Sequence, residues 1–156
     1  MPPLRVILDT NVLVAYALLP VVEPPRLRPS RDCVEAVRAG GVLLASEATL
    51  AELRAVLLRA CFDAYKPRPE REAFLATVEA EAERVVPAAL PRTCKDPEDD
   101  MFLAVAVAGA ADLLLTEDKA LLAVRAIGAT RILRPTAFLR DRARGGDAPA
   151  MDARHD

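Results

Sequence analysis

Carboxylates are the side chains of this sequence that are best suited to chemistry. Its only histidine, His155, lies next to the C-terminus, so Ser-His-Asp and Cys-His mechanisms and His-ligated zinc sites are not expected. The sequence also has no GxGxxG or GxxxxGKS loop for binding phosphates. If the protein is an enzyme, its chemistry must come from carboxylates, a lysine, a thiol or a borrowed cofactor.

Two of the acidic residues follow apolar runs that are typical of buried strands. Asp9 comes directly after residues 4–8, and Asp118 follows "DLLLT" at 112–116. Each of them, taken alone, is best interpreted as a helix N-cap, because Asp is among the preferred residues there. The carboxyl ends of parallel strands share one edge of a sheet, and ligand sites lie along that edge. Both residues are therefore expected at the ligand-binding edge.

Two further acidic residues lie in predicted helices. Glu52, in "SEATLAELRAVL", projects away from the apolar positions of its helix, which favours a solvated side chain. Asp100, in "KDPEDDMFLAVAVA", lies one turn into an apolar helix, on the face of Leu103 and Val107. That face points into the protein, so Asp100 is harder to explain as a surface charge.

Together, Asp9, Asp100 and Asp118 form a candidate metal site. Two bare carboxylates about 4 Å apart repel by about 4 kcal/mol at an effective dielectric constant of ~20. A fold that keeps such a group must protonate one member or bind a cation. Oxygen ligands without His or Cys suit Mg²⁺ or Mn²⁺.

The elements that would position these residues alternate between short apolar strands and helices, which predicts a parallel sheet covered on both faces. The predicted strands are 4–8, 42–45, 84–86, 112–116 and 130–133. The predicted helices are about 10–18, 31–39, 46–60, 70–83, 98–110, 118–126 and 135–140. One domain is expected over 1–141, because 156 residues with 53% hydrophobic content suffice for one core. Residues 142–156 are predicted to be a disordered tail.

Composition narrows the class of protein further. No apolar stretch approaches the ~18 residues of a membrane span, and the N-terminus does not resemble a signal peptide. Cys33, Cys61 and Cys94 are far apart and odd in number, which favours reduced thiols in a cytoplasmic protein. The net charge of −2 does not indicate a basic nucleic-acid binder. Most positive charges are arginines, which suit phosphate contacts but equally suit a GC-rich coding sequence.

The order of the segments "ILDTNVLVAYALL", "SEATLAELRAVLLR", "CKDPEDDMFLAVAVAGAADLLLTEDKALL" and "RILRPTAFL" resembles the PIN domain family. The sequence is most similar to the family's group of VapC-like toxins of toxin–antitoxin systems. The resemblance covers residues 4–140, nearly all of the domain. It implies a Rossmann-like, three-layer α/β/α fold with a five-stranded parallel sheet and a divalent-metal nuclease site.

The resemblance also implies roles for individual residues. Its four catalytic, metal-binding acids correspond to Asp9, Glu52, Asp100 and Asp118. Asn11 and Thr116 correspond to polar residues that support the site, and Asp99 is a close competitor of Asp100. Asp9, Asp100 and Asp118 would hold one Mg²⁺ or Mn²⁺, while Glu52 would contact a second ion or the attacking water.

The resulting hypothesis is a metal-dependent endoribonuclease, a toxin that is neutralised by a protein antitoxin. The alternatives are a PIN-type nuclease with a housekeeping or DNA role and a non-catalytic module that binds RNA or protein. A phosphatase of the Asp-x-Asp type is a weaker alternative, because Asn11 stands where the second Asp is needed. A homodimer is expected from the resemblance alone. The residues suggested for RNA contact are Arg26, Arg28, Arg31, Lys66, Arg68 and Arg71.

Overall fold

The computed structural model describes residues 2–19, 25, 28–87, 89 and 100–145 of the chain. The strands are β1 (Arg5–Leu8), β2 (Val42–Ala45), β3 (Glu83–Arg84), β4 (Leu113–Leu115), β5 (Ala126–Ile127) and β6 (Thr130–Leu133). The helices are α1 (Thr10–Ala17), α2 (Arg28–Gly40), α3 (Glu47–Leu57), α4 (Arg68–Glu81), α5 (Asp100–Ala108), α6 (Lys119–Val124) and α7 (Pro135–Gly145). No helix within the described ranges has the length and apolar character to cross a membrane.

The strands form a single sheet in the order β3-β2-β1-β4-β6-β5. Strand β1 is central and pairs in parallel with β2 on one side and with β4 on the other. The chain moves outward in one direction from β1 to β2 and β3, then returns to the other side for β4 and β6. The order of the strands therefore reverses between β1 and β4, which is where α/β sheets of this kind form their crevice.

Helices cover both faces of the sheet, as the apolar strands predicted. Alternate residues of a strand point to opposite faces, and β1 shows this clearly. Val6 and Leu8 pack with α1, α2, α3, α4 and α7 in one buried cluster. Ile7 packs with α5 and α6 in the other. The three-layer α/β/α arrangement expected from the sequence is confirmed.

The sheet has six strands, so the prediction of five was one short. The five predicted strands are mutually parallel, and the added strand, β5, pairs antiparallel with β6 at the sheet edge. Gly128 forms the tight turn between them with φ +57°, a conformation that glycine adopts without steric cost. The sequence analysis missed this hairpin because its two-residue strand is too short for a periodic signal, and the predicted helix was extended over it.

The predicted elements also differ from the structure at their ends. Helix α3 ends at Leu57, and the 3₁₀ turn Ala60–Phe62 follows it. Helix α7 continues to Gly145, so residues 142–145, which were assigned to a disordered tail, are helical. The remainder of that predicted tail lies outside the described residues.

Arg71 is a structural residue and not the surface RNA contact that was suggested. Its side chain is 0% exposed. The guanidinium donates to the backbone oxygens of Lys66 (2.9 Å), Leu57 (2.8 Å) and Arg59 (3.2 Å), and it pairs with Asp63. Arginine's rigid fork of donors suits such convergent binding. The side chain thereby closes the corner between α3 and α4.

Replacing Arg71 should therefore destabilise the fold strongly. Arg71→Met removes the donor to the carbonyls of Lys66 and Leu57 and leaves Asp63 without its ion-pair partner. Each buried unsatisfied group costs about 1–3 kcal/mol. We expect the free energy of unfolding, measured by urea denaturation, to fall by at least about 3 kcal/mol. Arg68→Met is the matched control, because Arg68 is exposed and, among the described residues, its one ion pair is with Glu72 on its own helix. It should change stability by at most about 0.5 kcal/mol, and equal effects for both variants would contradict this role.

Candidate active site

The candidate site lies at the carboxyl edge of the two central strands. Asp9 follows β1 directly, and its backbone N–H donates to the oxygen of Leu115 at 3.0 Å, which continues the ladder with β4. Thr116 follows β4 and continues the pairing with β6 in the same way. The two strand ends therefore deliver Asp9 and Thr116 side by side, at the reversal of strand order.

Asp9 is a buried carboxylate that is not used as a helix cap. It occupies the N-cap position of α1, yet its side chain makes no capping hydrogen bond. Instead Oδ2 accepts a hydrogen bond of 2.6 Å from the Thr116 hydroxyl. The side chain is 4% exposed. The interpretation of Asp9 as an ordinary cap, which the sequence favoured for this residue alone, is wrong.

The surroundings of Asp9 disfavour its negative charge. Burial raises the pKa of Asp9 to about 6, and the nearby carboxylates of Asp118 and Glu52 contribute to the increase. Hydrogen bonds from Thr116 and from the backbone of Thr10 act in the opposite direction and lower the pKa. The charged side chains that influence Asp9 are thus themselves acidic.

Asp118 is connected to Asp9 through Thr116. The backbone N–H of Asp118 donates to the Thr116 hydroxyl at 2.9 Å, and the same hydroxyl donates to Asp9. Oδ1 of Asp118 accepts from the backbone N–H of Ala120 at 2.8 Å. Asp118 is therefore the N-cap of α6, as its position in the sequence predicted. The cap fixes one carboxylate oxygen of Asp118 while its charge still acts on Asp9.

Glu52 is half-buried, whereas its position in the helix favoured a solvated side chain. Its Oε2 accepts a short hydrogen bond from the hydroxyl of Thr10, the first residue of α1. Thr10 is itself buried. This contact joins α1 to α3 and places Glu52 within electrostatic reach of Asp9. Thr10 is a site residue that sequence reasoning missed, although its position between Asp9 and Asn11 was a signal.

The remaining predicted residues are placed less closely. Asp100 is half-buried and opens the described part of α5, which packs against β1 and β4. Helix α5 leads back to the start of β4, so its first residue lies toward the carboxyl edge of the sheet. Asn11 is exposed, and Asp99 lies outside the described residues. Glu117, at the rim, forms an ion pair of 2.9 Å with Arg134.

The basic residues suggested for RNA contact are spread over the surface. Among them, Arg28 and Arg68 are exposed, Arg31 and Lys66 are half-buried, and Arg26 lies outside the described residues. Arg31 and Arg68 each form an ion pair with a neighbouring carboxylate. Any contact that these two make with a phosphate must compete with that pair.

The donor set at this edge fits a divalent cation. Asp9, Asp118 and Glu52 offer oxygen atoms alone, which is the ligand type that Mg²⁺ and Mn²⁺ prefer. A bound cation would also stabilise the negative charge of the buried Asp9, whereas the acidic neighbours of Asp9 destabilise that charge. Within 2–19, 28–87 and 100–145, however, no three Asp, Glu, His or Cys side chains lie close enough to form a ready-made metal cluster. The convergence of all four predicted acids stays a prediction.

A family model described as PIN domain matches residues 5–120. The chain therefore belongs to the PIN domain family. No curated protein matches the chain. PIN domains are generally nucleases that use divalent metal ions, and the fold described above agrees with this family. The protein thus carries a nuclease-type domain, and the candidate site lies within the matched region.

The burial of Asp9 predicts how the stability of the metal-free protein depends on pH. Because the pKa of Asp9 rises from 3.8 to about 6 on folding, the folded state prefers the protonated form. Ionisation of Asp9 therefore destabilises the folded state. This effect is absent below about pH 4 and complete above about pH 6, where it lowers the free energy of unfolding by about 3 kcal/mol. Wild type should lose this stability as the pH rises, whereas Asp9→Asn should not.

The measurement is urea unfolding of both proteins with a chelator present, between about pH 4 and about pH 7. The stability of Asp9→Asn relative to wild type should increase by about 3 kcal/mol over that range. Comparing how this difference in stability changes with pH cancels any pH-independent effect of the substituted amide. Glu117→Gln is the control, because Glu117 is exposed, and its difference from wild type should stay nearly constant. A difference for Asp9→Asn that is flat across pH would contradict the buried-charge interpretation.

Proposed function

We propose that the protein is a metal-dependent endoribonuclease that hydrolyses phosphodiester bonds in RNA and acts as the toxin of a type II toxin–antitoxin pair. The observation that carries the catalytic part is Asp9. It is a buried carboxylate at the end of the central strand, held by Thr116 and influenced by two further carboxylates. A buried carboxylate with acidic neighbours lowers the stability of a fold. Such groups are concentrated at functional sites, where their chemistry is needed.

The residues that would hold Mg²⁺ or Mn²⁺ are Asp9, Asp100 and Asp118, with Glu52 directed to a second ion or to the attacking water. A bound divalent ion supplies a Lewis acid that lowers the pKa of water and neutralises charge on the phosphate. Asp99 remains the competitor of Asp100, because the two acids are adjacent in the sequence. The electrostatic influence of Asp118 and Glu52 on Asp9 supports this set.

The chain's own groups have two further tasks. The Thr116 hydroxyl fixes the orientation of Asp9, and the turn at Asp118 depends on the same hydroxyl. The acidic edge also repels a phosphate backbone through like charge. Binding of RNA should therefore depend on the ion as strongly as cleavage does. Contacts to the RNA backbone would come from exposed arginines such as Arg28.

The role as a toxin rests on the order of the acidic motifs, which is most similar to the toxin group of the family. A protein antitoxin and a homodimer are part of the same proposal. A cytoplasmic location agrees with it, because both RNA and an antitoxin would be met there. The competing functions are a nuclease that acts on DNA and a non-catalytic RNA-binding module.

Cleavage of a mixed RNA pool tests the catalytic proposal. Wild type should cleave RNA with Mn²⁺ and lose activity with a chelator. Asp9→Asn should reduce the rate by about 100-fold or more, because loss of a metal ligand removes several kcal/mol of transition-state stabilisation. Whichever of Asp99→Asn and Asp100→Asn has the larger effect identifies which of these two adjacent acids is the ligand.

Glu117→Gln is the control for this assay, since Glu117 is a surface residue paired with Arg134. It should keep near-wild-type activity. Cleavage that survives Asp9→Asn would contradict the metal site. Faster cleavage of DNA than of RNA would favour the DNA nuclease, and RNA binding without turnover would favour the non-catalytic module.

Expression in a bacterial host tests the toxin proposal separately. Induction of wild type should arrest growth, and Asp9→Asn should not, because arrest requires cleavage. Co-expression of an antitoxin, which an adjacent small gene would encode in such a pair, should restore growth. Normal growth with an active, soluble ribonuclease would leave the nuclease intact and reject the toxin role.

A further inference from the structure

The site contains two threonine hydroxyls that each hold a carboxylate from another part of the chain. Thr116, after β4, donates to Asp9, after β1. Thr10, at the start of α1, donates to Glu52 in the middle of α3. The second pair joins residues 42 positions apart, so it is a tertiary contact and not a local turn. The family's acidic motifs account for the carboxylates but do not account for Thr10.

We propose that Thr10 is the positioning residue of Glu52, whose hydroxyl holds the Glu52 carboxylate beside Asp9 in readiness for a divalent cation. This inference rests on the proposed metal-dependent function and deepens it. Asp9 and Thr10 are consecutive, so one short segment after β1 contributes one acidic group and fixes the direction of another. Through this arrangement the direction of the Glu52 carboxylate is set before the ion arrives.

The location of Thr10 explains why its hydroxyl is available. A threonine inside a helix commonly donates to the carbonyl of the preceding turn. Thr10 is the first residue of α1, so no earlier turn of that helix offers such an acceptor. The hydroxyl instead crosses to α3, which packs against α1. Because Thr10 is buried, little solvent competes for this hydrogen bond.

The charges at the site explain why the Glu52 carboxylate needs a hydrogen bond to keep it in place. Glu52 and Asp118 both act on Asp9 as like charges, so Glu52 is repelled from the place where a cation would need it. Glu52 is only half-buried and has a long side chain that can turn toward water. The Thr10 hydroxyl opposes that movement. Groups that orient a metal ligand in this way typically change metal affinity by about 10–100-fold when removed.

Three variants separate a positioning role from a merely structural one. Thr10→Val keeps the shape and removes the hydroxyl, whereas Thr10→Ser keeps a hydroxyl with less bulk. Thr77→Val is the matched control, because the Thr77 hydroxyl donates to the backbone oxygen of Ala73 within α4. The primary measurement is Mn²⁺ binding by calorimetry, which does not depend on RNA or on turnover.

We expect the affinity for Mn²⁺ to fall about 10-fold in Thr10→Val, while Thr10→Ser and Thr77→Val stay within about 2-fold of wild type. The Glu52→Ala background gives a second test that does not depend on the shape of residue 10. There Thr10→Val should cause no further loss, since the hydroxyl has lost its acceptor. Urea unfolding of each variant checks that it is folded.

The outcomes distinguish the inference from the proposed function. If wild type binds Mn²⁺ and Thr10→Val binds as tightly as Thr10→Ser, the positioning role is overturned and the metal-dependent function stands. Equal losses from Thr10→Val in wild type and in Glu52→Ala would also overturn it, because the effect would then not pass through Glu52. If wild type binds no divalent cation, both the inference and the metal-dependent function fall.

Discussion

The fold is organised around a carboxylate that its surroundings disfavour. Asp9 ends the central strand, is nearly inaccessible to water and feels mainly other acids. The hydrogen bonds from Thr116 and from the backbone of Thr10 offset part of that cost, since a bond to a charged acceptor contributes about 1.5–3 kcal/mol. They do not offset it fully, because the pKa of Asp9 is still raised. The buried charge of Asp9 thus lowers the stability of the fold at the reversal of strand order, which is where the sheet topology forms a crevice.

Strands and helices position different side chains around Asp9. The ends of β1 and β4 fix Asp9 and Thr116 through backbone hydrogen bonds that continue the sheet ladder. Glu52 comes from a helix that packs against the sheet and reaches the site only through Thr10. At an effective dielectric of ~20, two like charges several ångströms apart repel by a few kcal/mol, comparable with the hydrogen bond that opposes this repulsion. A small change in the hydroxyl therefore has a measurable effect on the position of Glu52.

The sequence predicted the architecture well because long-range patterns carry it. Short apolar runs alternating with helical segments indicated the five parallel strands, and the acids after two of them, Asp9 and Asp118, indicated the edge of the site. Local features without periodicity were not predictable in this way. The β5 strand is two residues long, and the contact between Thr10 and Glu52 depends on how two helices dock. Arg71 was misjudged for the same reason, since an arginine in a charged helix gives no sign of the backbone carbonyls that converge on it. Periodicity showed only that Glu52 avoids the apolar face of its helix, and not what it meets instead.

Hydrogen bonds hold helix α3 at three points along its length. Ser46 and Thr49 form a reciprocal capping box at its start, Glu52 is bonded near the middle, and Arg71 grips the backbone oxygen of Leu57 at its end. A helix secured in this manner has little freedom to fray, so its amide protons should be among the slowest in the protein to exchange with solvent. The corner that Arg71 closes lies at the end of the same helix that carries Glu52. A substitution at that corner is therefore expected to change how firmly the helix holds Glu52, although it alters none of the acidic residues themselves.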